Sequence, residues 1–262
     1  MKYIVIDPVI LDLGIVKIHW YGVMYLLAFL IAYLLAKYRA NLSQDWSTKQ
    51  IDDLIFYGAL GAVLGGRFGY MAFYSFPGFI ANPLIFLDFQ NGGMSFHGGF
   101  LGVLLAMLLF NRKSKKSFFQ TTDFIAPLVP LGLLFGRIGN YINAELWGKV
   151  TTSAWGIYAP DQSGMWAQRY PTQLFEALLE GVVLFLILWL FSQKNRPLMA
   201  TSSLFLIFYG FFRFIIEFIR VPDSQLGYLA FEWLTMGQLL SFPMFVIGLY
   251  LFYRSYYSEN KL

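Results

Sequence analysis

The sequence predicts an all-α, polytopic integral membrane protein, and three observations carry that prediction. Of its 262 residues, 58% are hydrophobic and only 13% charged, about half the charge that a soluble domain needs. The apolar residues fall into runs of about 20, enough to cross a hydrocarbon core of about 30 Å at about 1.5 Å rise per residue. Most lysines and arginines lie in the connections between those runs, as expected of chain that stays in water.

Seven transmembrane helices are expected, near 19–36, 52–74, 97–111, 122–140, 173–192, 199–220 and 236–253. The third is short for a full crossing. Asp7, Pro8 and Asp12 interrupt the N-terminal stretch, its basic region is thin and no small-residue cleavage site follows the first run. The first run is therefore read as an anchor and not as a cleaved signal peptide. Eleven basic residues, among them Lys37, Arg39, Lys49, Lys116, Arg196 and Lys261, follow spans 1, 3 and 5 or lie at the C-terminus. Five (Lys2, Lys17, Lys149, Arg169 and Arg220) lie on the opposite side. Positive charge is retained in the cytoplasm, so the N-terminus is expected outside and the C-terminus inside. Residues 1–262 then form a single integral membrane domain with an outward-facing loop region near 141–172.

The same composition excludes several kinds of chemistry. The chain has no cysteine and two histidines, His19 and His97, so disulfides, thiolate metal sites and a protein-borne thiol nucleophile are ruled out. Neither H-E-x-x-H nor G-x-S-x-G occurs, which leaves a zinc hydrolase and a nucleophile-elbow serine hydrolase without support. No metal and no cofactor is expected. The net charge of +4 is modest, and no nucleic-acid partner is expected.

Arg67, Arg137 and Arg213 lie inside the spans. A mid-helix arginine costs about 2.5–3.5 kcal/mol to insert, so it faces a cavity or a partner and marks a functional candidate. Each sits 14 or 15 residues from the inner end of an outward-running span, about 21–22 Å up the helix, which predicts one level in the outer half. Glu217 follows Arg213 by one helical turn in "RFIIEFIR" and is placed to hold its guanidinium. Arg67 and Arg137 then call for negative charge, and Glu145 is the acid in the nearby motif "GRIGNYINAELWG". An anionic ligand completes the set, and in the outer leaflet a phospholipid phosphodiester supplies it.

Glycines cluster beside these arginines in "GAVLGGRFGY", "NGGMSFHGG" and "FGRIGN". Helix packing explains most of the first cluster, whereas the second can expose backbone N–H groups around His97. Histidine accepts a proton near neutral pH, which makes His97 a candidate base at the outer end of span 3. Helical spacing puts Arg137 and Asn140 on one face, with Asn143 beyond, as helix caps or as amides that orient a substrate. Tyr21 and Tyr209 fit an interfacial aromatic belt, and Tyr209 also shares the face of Arg213.

Six segments, "HWYGVMYLLAF", "GGRFGYMAFY", "GGMSFHGGFLG", "GRIGNYINAELWGK", "YPTQLFEALLEG" and "YGFFRFIIEFIRVPD", together resemble the bacterial prolipoprotein diacylglyceryl transferases over essentially the whole chain. The resemblance implies a seven-span protein of the bacterial plasma (inner) membrane. It implies transfer of the diacylglyceryl group of phosphatidylglycerol to the lipobox cysteine of a prolipoprotein signal peptide, forming a thioether and releasing glycerol-1-phosphate. By motif, Arg137 corresponds to the family's lipid-binding arginine and Arg213 to a second essential one. His97, Asn140, Glu145, Tyr21, Tyr209, Gly98, Gly136, Gly148 and Glu217 fall on positions that the family treats as functional or structurally critical. The pattern departs at Tyr170, where some members carry histidine.

On this reading Arg137 and Arg213 stabilise charge on the departing phosphate. His97 either takes the thiol proton or positions the headgroup, and Glu145 and Glu217 orient the guanidinium groups. Arg67 and Asn143 complete the expected substrate site. Two other classes compete with the enzyme. "GGRFGY" and "GRIGNY" hint at an internal repeat, which suits a phospholipid or anion transporter, but transport sites lie near the midplane. A structural partner of an export machine would not need three intramembrane arginines and a histidine.

Overall fold

The structure is a computed structural model that describes residues 1–14, 17–43, 45–88, 92–161, 163–222 and 227–259. Asn91, which opens the predicted glycine loop, and Lys261 of the charge count lie outside the described residues. Ten α-helices are described: α1 (Trp20–Ser43), α2 (Thr48–Phe73), α3 (Phe76–Ala81), α4 (Phe96–Ser114), α5 (Phe118–Ile125), α6 (Val129–Ile142), α7 (Thr172–Glu176), α8 (Leu184–Phe191), α9 (Ala200–Ile216) and α10 (Met236–Glu259). A 310 turn covers Pro83–Leu87, and a π-helical stretch, Ala177–Val183, joins α7 to α8. Two hairpins, β1 (Val9–Asp12) with β2 (Lys17–His19) and β3 (Ile157–Pro160) with β4 (Trp166–Arg169), are antiparallel. The chain divides within α1 into two compact units, residues 33–121 and residues 1–32 with 122–262.

Among the described residues, four helical segments are long and apolar enough to cross a membrane: Trp20–Ser43, Thr48–Phe73, Thr172–Phe191 and Met236–Tyr257. A fifth arises if α5 and α6, bent by 51°, count as one span. The bend replaces the straight run expected over 122–140. Pro127 and Pro130 sit at the break, and each removes a backbone N–H from the helical ladder. α9 has 17 residues where 22 were expected, because the chain leaves the helix at Glu217 for a turn ending at Arg220. α4 runs longer than its apolar core, from the Ser95 cap, which accepts from the Gly98 N–H, to Lys115, whose φ of 59° ends the helix. The loop near 141–172, read without secondary structure, contains the β3–β4 hairpin. The all-α class therefore holds with two small β additions.

In the 33–121 unit, α2 begins in a capping box: Ser47 and Gln50 each accept from the other's backbone N–H, satisfying two otherwise orphan donors. Its glycines make a seam with α4. A Cβ on Gly69 would stand 2.7 Å from the Gly98 Cα, and one on Gly65 would stand 2.7 Å from the Gly102 Cα. Gly61, Gly65 and Gly69 thus meet Gly98 and Gly102 at four-residue spacing, the small-residue contact that lets helices approach closely in lipid.

In the other unit, Asp123 of α5 caps α9. Its carboxylate accepts from the Met199 N–H (2.7 Å), the Ser202 N–H (2.8 Å) and the Ser202 hydroxyl (2.6 Å), where the helix dipole also favours a negative group. Leu184 and Leu188 of α8 pack with Phe212 of α9 in a buried cluster. α10 approaches α9 at Gly210, where a Cβ would lie 2.8 Å from the Ser241 carbonyl oxygen. Outside the helices, residues 1–3 extend the β3–β4 hairpin: the Tyr3 N–H donates to the Tyr158 carbonyl and the Tyr158 N–H to the Met1 carbonyl, both at 2.9 Å. The Tyr3 hydroxyl then reaches the carbonyls of Tyr141 and Ile142 at 3.0 and 2.9 Å. Its ring meets Tyr141 and Trp147 edge-on, each at 5.3 Å, so the C-terminal end of α6 is tied to the hairpin.

Candidate functional site

Six charged side chains converge in the unit that holds α6 to α9. Arg137 projects from α6, Glu176 ends α7, Glu180 follows in the π-helical stretch, Arg213 lies in the last turn of α9, and Glu217 and Arg220 lie just beyond it. Arg137 Nε stands 2.9 Å from Glu176 Oε2, close enough to pair although not aligned as a hydrogen bond. Its Nη2 reaches Glu180 Oε2 at 3.4 Å. Arg213 Nη1 lies 2.5 Å from Glu176 Oε1 and 3.8 Å from Glu180 Oε1, and its Nη2 lies 2.6 Å from Glu217 Oε1. Arg220 closes the network at 2.9 Å from Glu176 and 3.5 Å from Glu217. The Thr235 hydroxyl donates to the second Glu217 oxygen at 2.7 Å.

Local packing explains how these groups meet. A Cβ added at Gly181 would stand 2.8 Å from the Leu134 Cβ and 3.0 Å from its Cα. α6 therefore presses against the π-helical stretch at a residue that must be small, and Arg137 is one turn from Leu134 while Glu180 adjoins Gly181. A π-helical insertion re-aims side chains along a span and often accompanies a functional site. The glutamate side chains are 0%, 0% and 4% exposed for Glu176, Glu180 and Glu217, while Arg137 is 17% and Arg213 15% exposed. Three guanidinium groups and three carboxylates balance, as charges taken out of water must. Arg137 Nη1 has no protein partner among the described residues.

The motif after Arg137 forms a second, smaller constellation. Asn140 Nδ2 donates to Glu145 Oε2 at 3.2 Å, and Asn143 Nδ2 donates to Glu145 Oε1 at 3.3 Å. Ala144 and Leu146, on either side of Glu145, have φ of 56° and 59°, a left-handed conformation that costs a non-glycine residue about 1 kcal/mol or more. Three hydrogen bonds hold it. The Glu145 N–H donates to the Asn140 carbonyl at 2.9 Å, the Thr172 hydroxyl to the Leu146 carbonyl at 2.6 Å, and the Gln173 side-chain amide to the Glu145 carbonyl. Glu145 therefore pairs with asparagine amides, which corrects the expectation that it orients a guanidinium. Glu217 does meet Arg213 as expected, and Glu176 and Glu180 supply the charge sought for Arg137.

The remaining expected residues fall out differently. Tyr21 lies against α6, where a Cβ at Gly139 would meet its ring at 2.8 Å. Tyr209 stacks flat on Phe205 at 5.5 Å, one turn before Arg213. Gly136 borders open space. At Gly148 a Cβ would stand 2.7 Å from both the Ile219 carbonyl oxygen and Thr172 Cγ2, so close approach of backbone already requires that glycine.

In the 33–121 unit, Gly98 is a seam residue between α2 and α4, which accounts for it by packing. His97 is exposed, with Phe96 edge-on to its ring at 5.7 Å. Arg67 departs from expectation. It is 2% exposed, and its guanidinium donates to five backbone carbonyls: Phe86 (2.8 Å), Gly92 (2.5 Å), Gly93 (2.9 Å), Asp88 (2.5 Å) and Ile85. A guanidinium has five N–H donors, and these are spent on the carbonyls of Ile85, Phe86, Asp88, Gly92 and Gly93, so the contacts make Arg67 a structural cross-brace in place of the expected grip on lipid phosphate.

Glu176, Glu180 and Arg220 were missed as site residues. The signal was present: two acids four residues apart in "FEALLEG", inside an apolar span, satisfy the same rule that singled out the arginines. Arg220 was counted as an outer surface charge, yet it is 8% exposed.

Apolar helices that bury a balanced cluster of arginines and glutamates, with one guanidinium edge left open, define a membrane-embedded protein built to handle an anionic group. The chain belongs to the prolipoprotein diacylglyceryl transferase family, whose model matches residues 8–254. It is 53% identical over 259 residues to the phosphatidylglycerol–prolipoprotein diacylglyceryl transferase of Pseudomonas fluorescens (strain Pf0-1), covering 98% of this chain and 96% of that protein. Proteins of the same description from Coxiella burnetii (strain RSA 331 / Henzerling II) and Solidesulfovibrio magneticus are each 54% identical, over 98% and 97% of this chain and 98% and 96% of theirs.

Proposed function

We propose that this chain transfers the diacylglyceryl group of phosphatidylglycerol to the thiol of a prolipoprotein's lipobox cysteine, with glycerol-1-phosphate as the other product. The observation that carries the site assignment is the state of Arg137. Glu176 and Glu180 hold it through Nε and Nη2, which leaves Nη1 and a 17% exposed side chain to meet a ligand. A guanidinium fixed by two carboxylates is preorganised, so it need not reorganise when charge develops beside it.

In the reaction, the substrate's sulfur attacks the glycerol carbon that bears the phosphate. The C–S bond forms as the C–O bond breaks, and the departing glycerol phosphate keeps the electron pair. Arg137 and Arg213 stabilise the charge that builds on it. The thiol must lose its proton, because a free thiol with pKa about 8.5 is mostly protonated near pH 7. His97, exposed and free of hydrogen-bonded partners among the described residues, is the candidate acceptor. Asn140 and Asn143, fixed by Glu145, orient polar groups of the headgroup, with Tyr21 and Tyr209 alongside. We place the enzyme in the bacterial inner membrane as one integral domain, residues 1–262, with seven spans, its N-terminus outside and its C-terminus cytoplasmic.

The test incubates purified protein with phosphatidylglycerol and a lipobox peptide and looks for the diacylglyceryl mass increment on the peptide. Arg137→Ala should abolish it. His97→Ala separates the base from the positioner: a base predicts lost turnover that partly returns as pH rises toward the thiol pKa, whereas a positioner predicts a raised KM for lipid. No increment with the unaltered protein would overturn the reading and favour a lipid carrier.

A further inference from the structure

We propose that Glu180 takes up a proton when the lipid phosphate binds, so that ligand and proton enter the site together; this rests on the functional reading above. Arg137, Arg213 and Arg220 face Glu176, Glu180 and Glu217, three cations against three anions, all at most 17% exposed. A phosphodiester adds one negative charge, and in a site shielded from water an uncompensated charge is expensive. One carboxylate must then become neutral, because an arginine cannot gain a second charge.

The contacts single out which one. Glu176 is gripped at 2.5, 2.9 and 2.9 Å by three arginines. Glu217 is held at 2.6 Å by Arg213 and at 2.7 Å by the Thr235 hydroxyl. Glu180 has Arg137 at 3.4 Å and Arg213 at 3.8 Å, is fully buried, and its Oε1 accepts no hydrogen bond among the described residues. The groups facing it are Arg137 from α6, Arg213 and Tyr209 from α9, and Glu176 on its own segment. An anion at the open Nη1 edge of Arg137 shares with Glu180 the charge of one guanidinium. Weakening the Arg137 contact loosens one of the two guanidinium contacts of this carboxylate, while Glu176 nearby continues to oppose its charge. Protonated, Glu180 also becomes a donor on the side where it now has none.

The experiment is calorimetric titration of the full-length protein in detergent with short-chain phosphatidylglycerol, near pH 7, in two buffers of different ionisation heat. The difference between the apparent heats counts protons taken up. About one proton per lipid is expected, with affinity falling about tenfold per pH unit over the range where uptake is complete. In Glu180→Gln, whose side chain is permanently neutral, uptake should drop to zero and the pH slope should flatten, with affinity at pH 8 equal to the unaltered protein's or better. Binding of the unaltered protein without proton uptake overturns this inference and leaves the functional reading standing. So does uptake that persists in Glu180→Gln, or a tenfold loss of affinity in that variant while it remains folded. Absence of phosphatidylglycerol binding at every pH overturns both. If Glu180→Gln does not fold, absence of proton uptake by the unaltered protein still overturns the inference.

Discussion

Replacing Glu176 by glutamine keeps the volume of the side chain and removes the charge on which the cluster turns. The three arginines that meet it, Arg137, Arg213 and Arg220, would then share two carboxylates. Removing one partner of a buried pair costs about 3–5 kcal/mol. The guanidinium groups keep 10–17% exposure, so water screens them partly and the low end, about 3 kcal/mol, applies. At about 1.4 kcal/mol per factor of ten, that lowers the folded-to-unfolded ratio about 100-fold. For a chain of this size it lowers Tm by about 6–12 °C. Thermal unfolding in detergent, followed by tryptophan fluorescence, reads the shift. The reasoning makes a sharper demand as well. Arg220→Met in the Glu176→Gln background removes one excess cation, so the double variant should be more stable than the single one. A Glu176→Gln protein within 1 °C of the unaltered one, or a double variant less stable than the single one, would refute the view that charge balance holds this cluster together.

Arg67→Lys keeps the charge but offers three donors in place of five, so at least two part-buried carbonyls lose their partners, at the low end of the penalty, about 1 kcal/mol each. Tm should fall sharply while the affinity of the folded protein for phosphatidylglycerol stays within threefold, and unchanged stability with lost affinity would show a ligand role instead. Gly148→Ala forces a methyl group against the Ile219 carbonyl and Thr172 at an overpacking cost of about 1–3 kcal/mol, which denaturant titration should show as a loss of stability. In the β3–β4 connection, hydrogen bonds from the Ser163 hydroxyl and the Met165 N–H, with Arg169 beside it, hold the Asp161 carboxyl below its ordinary pKa. A depressed folded pKa makes its contribution complete above the unfolded value, about 3.9, and lost as pH falls through the folded one. Protection against hydrogen exchange over this hairpin, taken relative to the intrinsic rate at each pH, should therefore fall below about pH 4, and Asp161→Asn should show lowered protection already at neutral pH.

How much of this was legible in sequence depends on whether the controlling force is local. Apolar runs announce spans because insertion into hydrocarbon sums over a segment, and α1, α2 and α10 lie where they were expected, each longer than its apolar run. The bend between α5 and α6 was equally local, written in Pro127 and Pro130, but the apolar average over 122–140 conceals it. The early end of α9 was not local. Glu217 and Arg220 leave the helix to reach Arg213, Glu176 and the Gly148 backbone, and no periodicity in "RFIIEFIR" records those partners.

The site shows the same division more strongly, because an intramembrane charge declares that it has a partner without declaring which one. Arg67 and Arg137 look alike in "GGRFGY" and "GRIGNY", each an arginine among small residues inside an apolar run. One spends all its donors on the carbonyls of a nearby connection. The other is held by two carboxylates roughly 40 residues away in the chain and retains an open edge. Carbonyls neutralise nothing, yet five of them satisfy a guanidinium completely; two carboxylates neutralise it and leave donors over. Only the second arrangement can still attract an anion, and only the second places a weakly held acid, Glu180, beside the guanidinium that the anion would share.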